Sequence, residues 1–169
     1  MGKTVVVVPP DPSWVERFEA VAAWLRGLLG DELLAVHHVG STSVPGLWAK
    51  PKVDIMPVVR SHARLEEHRA TVEAAGYLWR GEYGIPGRRY FRTEQVNIHV
   101  YEPGHHEIAR HLCFRDHLRA HAEAREAYQA LKRELAQRFV DEPTRYQDGK
   151  SELIERLLRE AMGADYVGP

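Results

Sequence analysis

The spacing of apolar residues changes character once along the chain, near Gly104, and this change restricts the fold more than any other feature of the sequence. After Gly104 the pattern is helical to the end. Tyr128, Leu131, Leu135 and Phe139 mark one helical face, and Leu153, Ile154, Leu157, Leu158 and Met162 mark another. Before Gly104, short β-branched runs alternate with two helical stretches. Trp14, Phe18, Val21, Leu25 and Leu28 lie on one face of a first helix, which Asp11 or Ser13 can cap and Gly30 ends. Residues 33–39 read as a strand, and 53–59 as a second strand carrying one charge, Asp54. Residues 64–75 read as a helix stopped by Gly76, and 77–80 as a third strand. The runs 88–92 and 95–101 lie close enough to pair as a hairpin. Val5 to Val8, halted by Pro9-Pro10, reads as an extended segment or edge strand. This order specifies an α+β chain: a mixed β-sheet with flanking helices and a C-terminal helical cluster. No Gly/Ser-rich linker marks the change, so residues 1–169 are expected to form one domain, its sheet-containing part at 1–103 and its helical part at 104–169.

Several function classes recede on composition. The chain has 23 Lys and Arg against 24 Asp and Glu, a formal net charge of −1, so bulk charge does not make it a nucleic-acid binder. The single cysteine, Cys113, excludes an internal disulfide and a multi-cysteine zinc site, and reads as a small buried hydrophobe. The apolar run Val5 to Val8 is too short for a membrane span, which points to a cytoplasmic protein without a membrane partner. Among the 10 histidines, His106-Glu107 and His111 miss the H-E-x-x-H spacing by one residue. His117 and His121 have i, i+4 spacing, but Arg115, Arg119 and Arg125 crowd them with positive charge. Gly149-Lys150-Ser151 imitates the end of a P-loop but has Thr144 where the motif needs glycine. Lys150 is expected on a helix surface or reaching back into a site.

The chemistry concentrates between His37 and Ile55. A strand ends in Gly40-Ser41-Thr42-Ser43, where glycine permits close backbone approach and free N–H groups can cradle phosphate oxygens. Ser41, Thr42 and Ser43 add hydroxyls. The chain then re-enters the sheet and presents Asp54, a hard carboxylate suited to a magnesium–nucleotide site, with Lys50 and Lys52 beside it to neutralise phosphate charge. Spacing alone leaves open a plain hydrophilic loop with Asp54 satisfied by a basic neighbour. The tight turn Gly84-Ile85-Pro86-Gly87 leads into Arg88 and Arg89, which strand alternation would point to opposite faces, one of them toward a phosphate. His99 is a candidate metal ligand or general base, or a core histidine.

The run His38 to Leu47, with Lys50, Pro51, Asp54 and Ile55, resembles the hallmark of the GrpB family. Arg80-Gly81-Glu82, the stretch Gly84 to Phe91, and Asn97-Ile98-His99-Val100 fit it too, as do Arg110 to Asp116, Tyr128 to Lys132 and Asp148 to Lys150. The resemblance implies a nucleotidyltransferase-like fold, with Gly40-Ser41 as the superfamily's Gly-Ser turn and Asp54 as its retained metal-binding carboxylate. It implies a metal-dependent transfer from a nucleotide donor to a small-molecule or protein acceptor, with Mg²⁺ or Mn²⁺ as cofactor. Asp54, His99 and Lys50 would be catalytic, and Asp54 and His99 would hold the metal. Gly40, Ser41, Thr42, Ser43, Arg88 and Arg89 would bind the nucleotide phosphates. A similar domain occurs fused to dephospho-coenzyme A kinase, which suggests nucleotide-related work. The chain departs from the superfamily pattern at Lys52, which stands where the first Asp-x-Asp residue belongs, and at Asn97 and His99, which stand where a third carboxylate belongs. Glu82 and Asp116 are the acids that could replace what is missing. The alternative reading is a non-catalytic module that binds a nucleotide, a coenzyme or a protein partner.

Overall fold

The computed structural model describes residues 4–166 and 168. Five strands form one mixed sheet: β1 (Leu33–Val39), β2 (Val53–Val59), β3 (Leu78–Trp79), β4 (Arg89–Arg92) and β5 (Val96–Val100), in the spatial order β1-β2-β5-β4-β3. Neighbours are antiparallel except β2 and β5, which are parallel. Helices cover both faces. α1 (Ser13–Leu29), α2 (His62–Glu67) and α3 (Arg69–Ala74) lie on one side. α4 (His106–Ala120) covers the other, followed by α5 (Ala122–Arg138), α6 (Pro143–Asp148) and α7 (Ser151–Met162).

Most boundaries follow local chemistry. Asp11 accepts a hydrogen bond from the Ser13 N–H at the start of α1, and Gly30 ends that helix at φ +52°. The 64–75 helix read from sequence is two short helices instead. At His68 the backbone N–H turns to the Leu65 carbonyl, three residues back, and the helix breaks there (φ −91°, ψ 2°). Both pieces still deliver a fully buried residue, Leu65 and Val72. Val5 to Val8 is not a sheet strand: Val8 makes an isolated bridge to Ala49, and the Val5 N–H reaches the Val140 carbonyl. No helix of the described residues is long and apolar enough to cross a membrane.

Alternation along the strands separates two environments. Val53, Ile55, Val96, Ile98, Val100 and Phe91 pack with Trp14, Leu25, Leu65 and Val72 in the main core. On the opposite face Met56 joins Val39, Tyr101, Ile108 and Leu112 under α4. Asp54 shares that second face, level with Asn97 across the parallel pair and with Val39 across the antiparallel one.

Candidate functional site

Asp54 sits where β1, β2 and β5 converge. Its Oδ1 accepts from Asn97 Nδ2 at 2.8 Å and from His99 Nε2 at 3.2 Å. Arg88 Nη1 approaches His99 Nδ1 at 3.3 Å. A guanidinium can only donate, so Nδ1 accepts and the imidazole proton lies on Nε2, aimed at Asp54. Burial pushes the Asp54 carboxyl up. The hydrogen bond and electrostatic pull of His99, the bond from Asn97 and the field of His111 outweigh burial and leave it below the ordinary carboxylate value.

The Gly40 turn is built against this carboxylate. Gly40 has φ +71°, and a Cβ there would stand 2.7 Å from Asp54 Oδ2, so backbone conformation and space both demand glycine. The turn is pinned by its carbonyls. The Ser43 hydroxyl donates to the Gly40 carbonyl at 2.6 Å. From α4, Arg119 donates twice to the Ser43 carbonyl, at 2.6 and 3.0 Å, and Arg115 donates to the His38 carbonyl at 3.1 Å. His38 Nε2 lies 2.9 Å from the Thr42 hydroxyl, and burial brings the His38 imidazole down to about 4.

In front of the turn lies a cavity of about 210 Å³, lined by Gly40, Ser41, Thr42 and Asp54 and by four lysines, Lys50, Lys52, Lys132 and Lys150. Lys132 comes from α5, and Lys150 from the turn between α6 and α7, immediately before α7. Both are buried, at 2% and 8% exposure, unusual for an ammonium group. Lys132 Nζ donates to the Ser41 hydroxyl at 3.0 Å and to the Trp48 carbonyl, and lies over the Tyr128 ring. Lys50 and Lys150 share the Tyr146 ring, at 5.0 and 4.4 Å from its centroid. Burial, then the fields of Lys150 and Lys50, lower Lys132 to about 7. Burial and the field of Lys50 lower Lys150 to about 7. Burial lowers Lys50 as well, against the pull of Asp54.

Of the residues singled out in the sequence, Gly40, Ser41, Thr42, Lys50 and Asp54 come together around this cavity. Ser43 faces its own turn, and His99 stands behind Asp54. The two arginines lie elsewhere. Arg88 is buried and donates to the Glu82 carbonyl at 3.1 Å and the Tyr83 carbonyl at 2.6 Å, which ties its own turn together. Arg89 pairs with Glu66 at 2.5 Å on the other side of the sheet. Neither spare acid approaches Asp54: Glu82 accepts from the Gly87 N–H at 2.7 Å, and Asp116 pairs with Arg115 at 2.8 Å. Among the described residues no group of three or more His, Cys, Asp or Glu could hold a metal ion. One carboxylate, with an oxygen already bonded to Asn97 and His99 and lysines in front, does not make a resident two-metal centre.

Lys132 was missed as a site residue. Its signal was a lysine at i+4 from Tyr128 on the helix's apolar side, where solvent-facing charge is not expected. Lys150 belongs with the alternative of reaching back into a site.

Residues 4–160 match the protein family described as "GrpB protein". The chain belongs to that family. It is 38% identical over 157 residues to the "UPF0157 protein YqkA" of Bacillus subtilis, covering 90% of this chain and 46% of that protein, so it spans about half of that relative's length. The crystal structure of conserved protein GrpB from Enterococcus faecalis superposes with a TM-score of 0.89 at 37% identity, over 92% of this chain and 96% of that one. A dephospho-CoA kinase of Mycolicibacterium paratuberculosis is 30% identical over 163 residues, covering 79% of this chain and 40% of that protein. The GrpB stretch His38 to Asp54 is thus the segment that forms the turn, the carboxylate and half of the lysine cavity.

Proposed function

We propose that the cavity binds the phosphate groups of a nucleotide or a nucleotide-bearing coenzyme, with Lys50, Lys132 and Lys150 neutralising them and Asp54 facing the group they carry. The observation that carries this reading is the convergence of lysines on one cavity, Lys132 and Lys150 among them buried and Lys132 bonded to the Ser41 hydroxyl, with Asp54 as the one carboxylate in its lining. Like charges held together out of water repel, and an anion between them relieves the repulsion. The lysines then supply the positive charge that metal ions supply in other phosphate-handling sites. The similarity to part of a dephospho-CoA kinase agrees with a ligand of this class. The metal-dependent transfer implied by the family resemblance makes a different demand, because binding or turnover must then require Mg²⁺ or Mn²⁺.

Calorimetric titration with pyrophosphate, ATP and coenzyme A, in EDTA and then with Mg²⁺ or Mn²⁺, separates the two. Binding in EDTA is expected, weakened tenfold or more by Lys132→Met. The same variant changes stability by less than about 2 kcal/mol, since it removes a buried charge along with its bonds. Binding only with metal, abolished by Asp54→Asn, would favour the transfer reading. No binding of any of the three at millimolar concentration, or no effect of Lys132→Met, would overturn the proposal.

A further inference from the structure

A second cavity of about 450 Å³ opens beside the first, and the two share Lys50, Lys52 and Asn97. Their linings differ. The first brings four lysines, Asp54 and the hydroxyls and backbone of the Gly40 turn together, with Phe114, Tyr128 and Tyr146 in its walls. The second is walled by Val5, Val6, Pro51, Pro143 and the Tyr90 ring, with Arg92 and Glu94 at its margin. Asn97 is the partition. Its Nδ2 donates to Asp54 Oδ1 at 2.8 Å, and its Oδ1 accepts from the Tyr90 hydroxyl at 2.7 Å. With both ends of the amide engaged, the partition is rigid, and a ligand crossing it passes over Lys50 and Lys52.

A ligand consisting of phosphate alone would need the first cavity only. Sites for larger metabolites join a mostly apolar compartment to a few placed polar groups, and this pair of cavities has that division. The walls of the second cavity suit a moiety with flat apolar surface, and Arg92 and Glu94 offer a donor and an acceptor to its polar edge. We propose that the second cavity receives the organic half of the same ligand, a nucleoside-sized group whose phosphates lie across Lys50 and Lys52 in the first. The inference rests on the phosphate reading of the first cavity.

Val6 allows a clean test, because it lines the second cavity only and is 48% exposed, so it can be enlarged without disturbing the core. Val6→Trp fills the compartment without adding charge near the lysines, and Val6→Ala is the control. Affinities for pyrophosphate, ATP and coenzyme A are measured for the three proteins. Val6→Trp is expected to weaken ATP or coenzyme A at least fivefold and leave pyrophosphate within twofold, with Val6→Ala within twofold throughout. Equal weakening of all three ligands by Val6→Trp, or no weakening of ATP and coenzyme A, would overturn the inference. If pyrophosphate fails to bind the native protein while ATP or coenzyme A binds and responds to Val6→Trp, the second compartment stands and the phosphate reading falls. If none of the three binds, both fall.

Discussion

On the face of the sheet covered by α1 to α3, Ile55, Phe91 and Ile98 are fully buried among apolar side chains. One residue away along the same strands, on the other face, sit Asp54, Tyr90, Asn97 and His99, joined by hydrogen bonds. The first face is cohesive without any ligand. The second gathers charge and polar groups at a cost in desolvation, and the C-terminal helices close over it with Lys132 from α5 and Lys150 from the turn before α7. Stability and chemistry are therefore divided by the pleat of the strands, within a single sheet.

The division can be broken from either side. The largest effect is expected from Phe91→Ala, which empties the center of the apolar face between Trp79 and Tyr77. It should lower unfolding free energy by about 3–5 kcal/mol, read by urea denaturation, while the folded fraction keeps its affinity for pyrophosphate. A loss of that affinity at unchanged stability would mean that the two faces are not separate. Gly40→Ala comes next. The new methyl meets Asp54 Oδ2 at 2.7 Å on a backbone with φ +71°. Destabilisation of about 1–3 kcal/mol is expected, with anion binding lost even where the protein remains folded. Unchanged binding in a folded Gly40→Ala protein would dissociate the turn from the site.

The last effect concerns pH. Lys132 and Lys150 are lowered from 10.5 to about 7 in the folded protein. Between those values the unfolded chain holds protons that the folded one has released, so stability rises with pH from about 7 toward 10. The melting temperature of the ligand-free protein should climb steadily across pH 7–9. Saturating pyrophosphate, which favours the charged lysines, should flatten that climb. A melting temperature that falls over this range, or rises equally with pyrophosphate, would show that the two ammonium groups are not held apart from water as described.

The strands were legible because each advertises itself locally. Leu33–Val39 and Val53–Val59 are mostly apolar runs rich in valine, the first ended by Gly40 and the second preceded by Pro51. The Gly40-Ser41-Asp54 half of the cavity was legible for the same reason, since it lies within fifteen residues of chain. Lys132 and Lys150 arrive from 91 residues beyond Ser41 or more; the place of Lys132 on the apolar side of its helix shows that it turns inward but not what it meets, and nothing local distinguishes Lys150 from a lysine on a solvated face. Arg88 lies outside the cavity for a reason of the opposite kind. Its strand position was read well, but the Glu82 and Tyr83 carbonyls that take its donors belong to a turn with Tyr83 at φ +45°, which spacing does not reveal. The break at His68 was hidden too, because Leu65 and Val72 keep helical spacing across it.

The parallel pairing of β2 with β5 has a kinetic consequence. Asp54 and Asn97 meet across 43 residues, and two helices and two strands must be threaded between them before the contact can close. Pairings of such separation reward the chain late, after the loop entropy has been met. Closing the β4–β5 hairpin costs less loop entropy than bringing Asp54 and Asn97 together. The lysine-lined cavity, which Asp54 and Asn97 both border, therefore needs this long-range pairing to be complete.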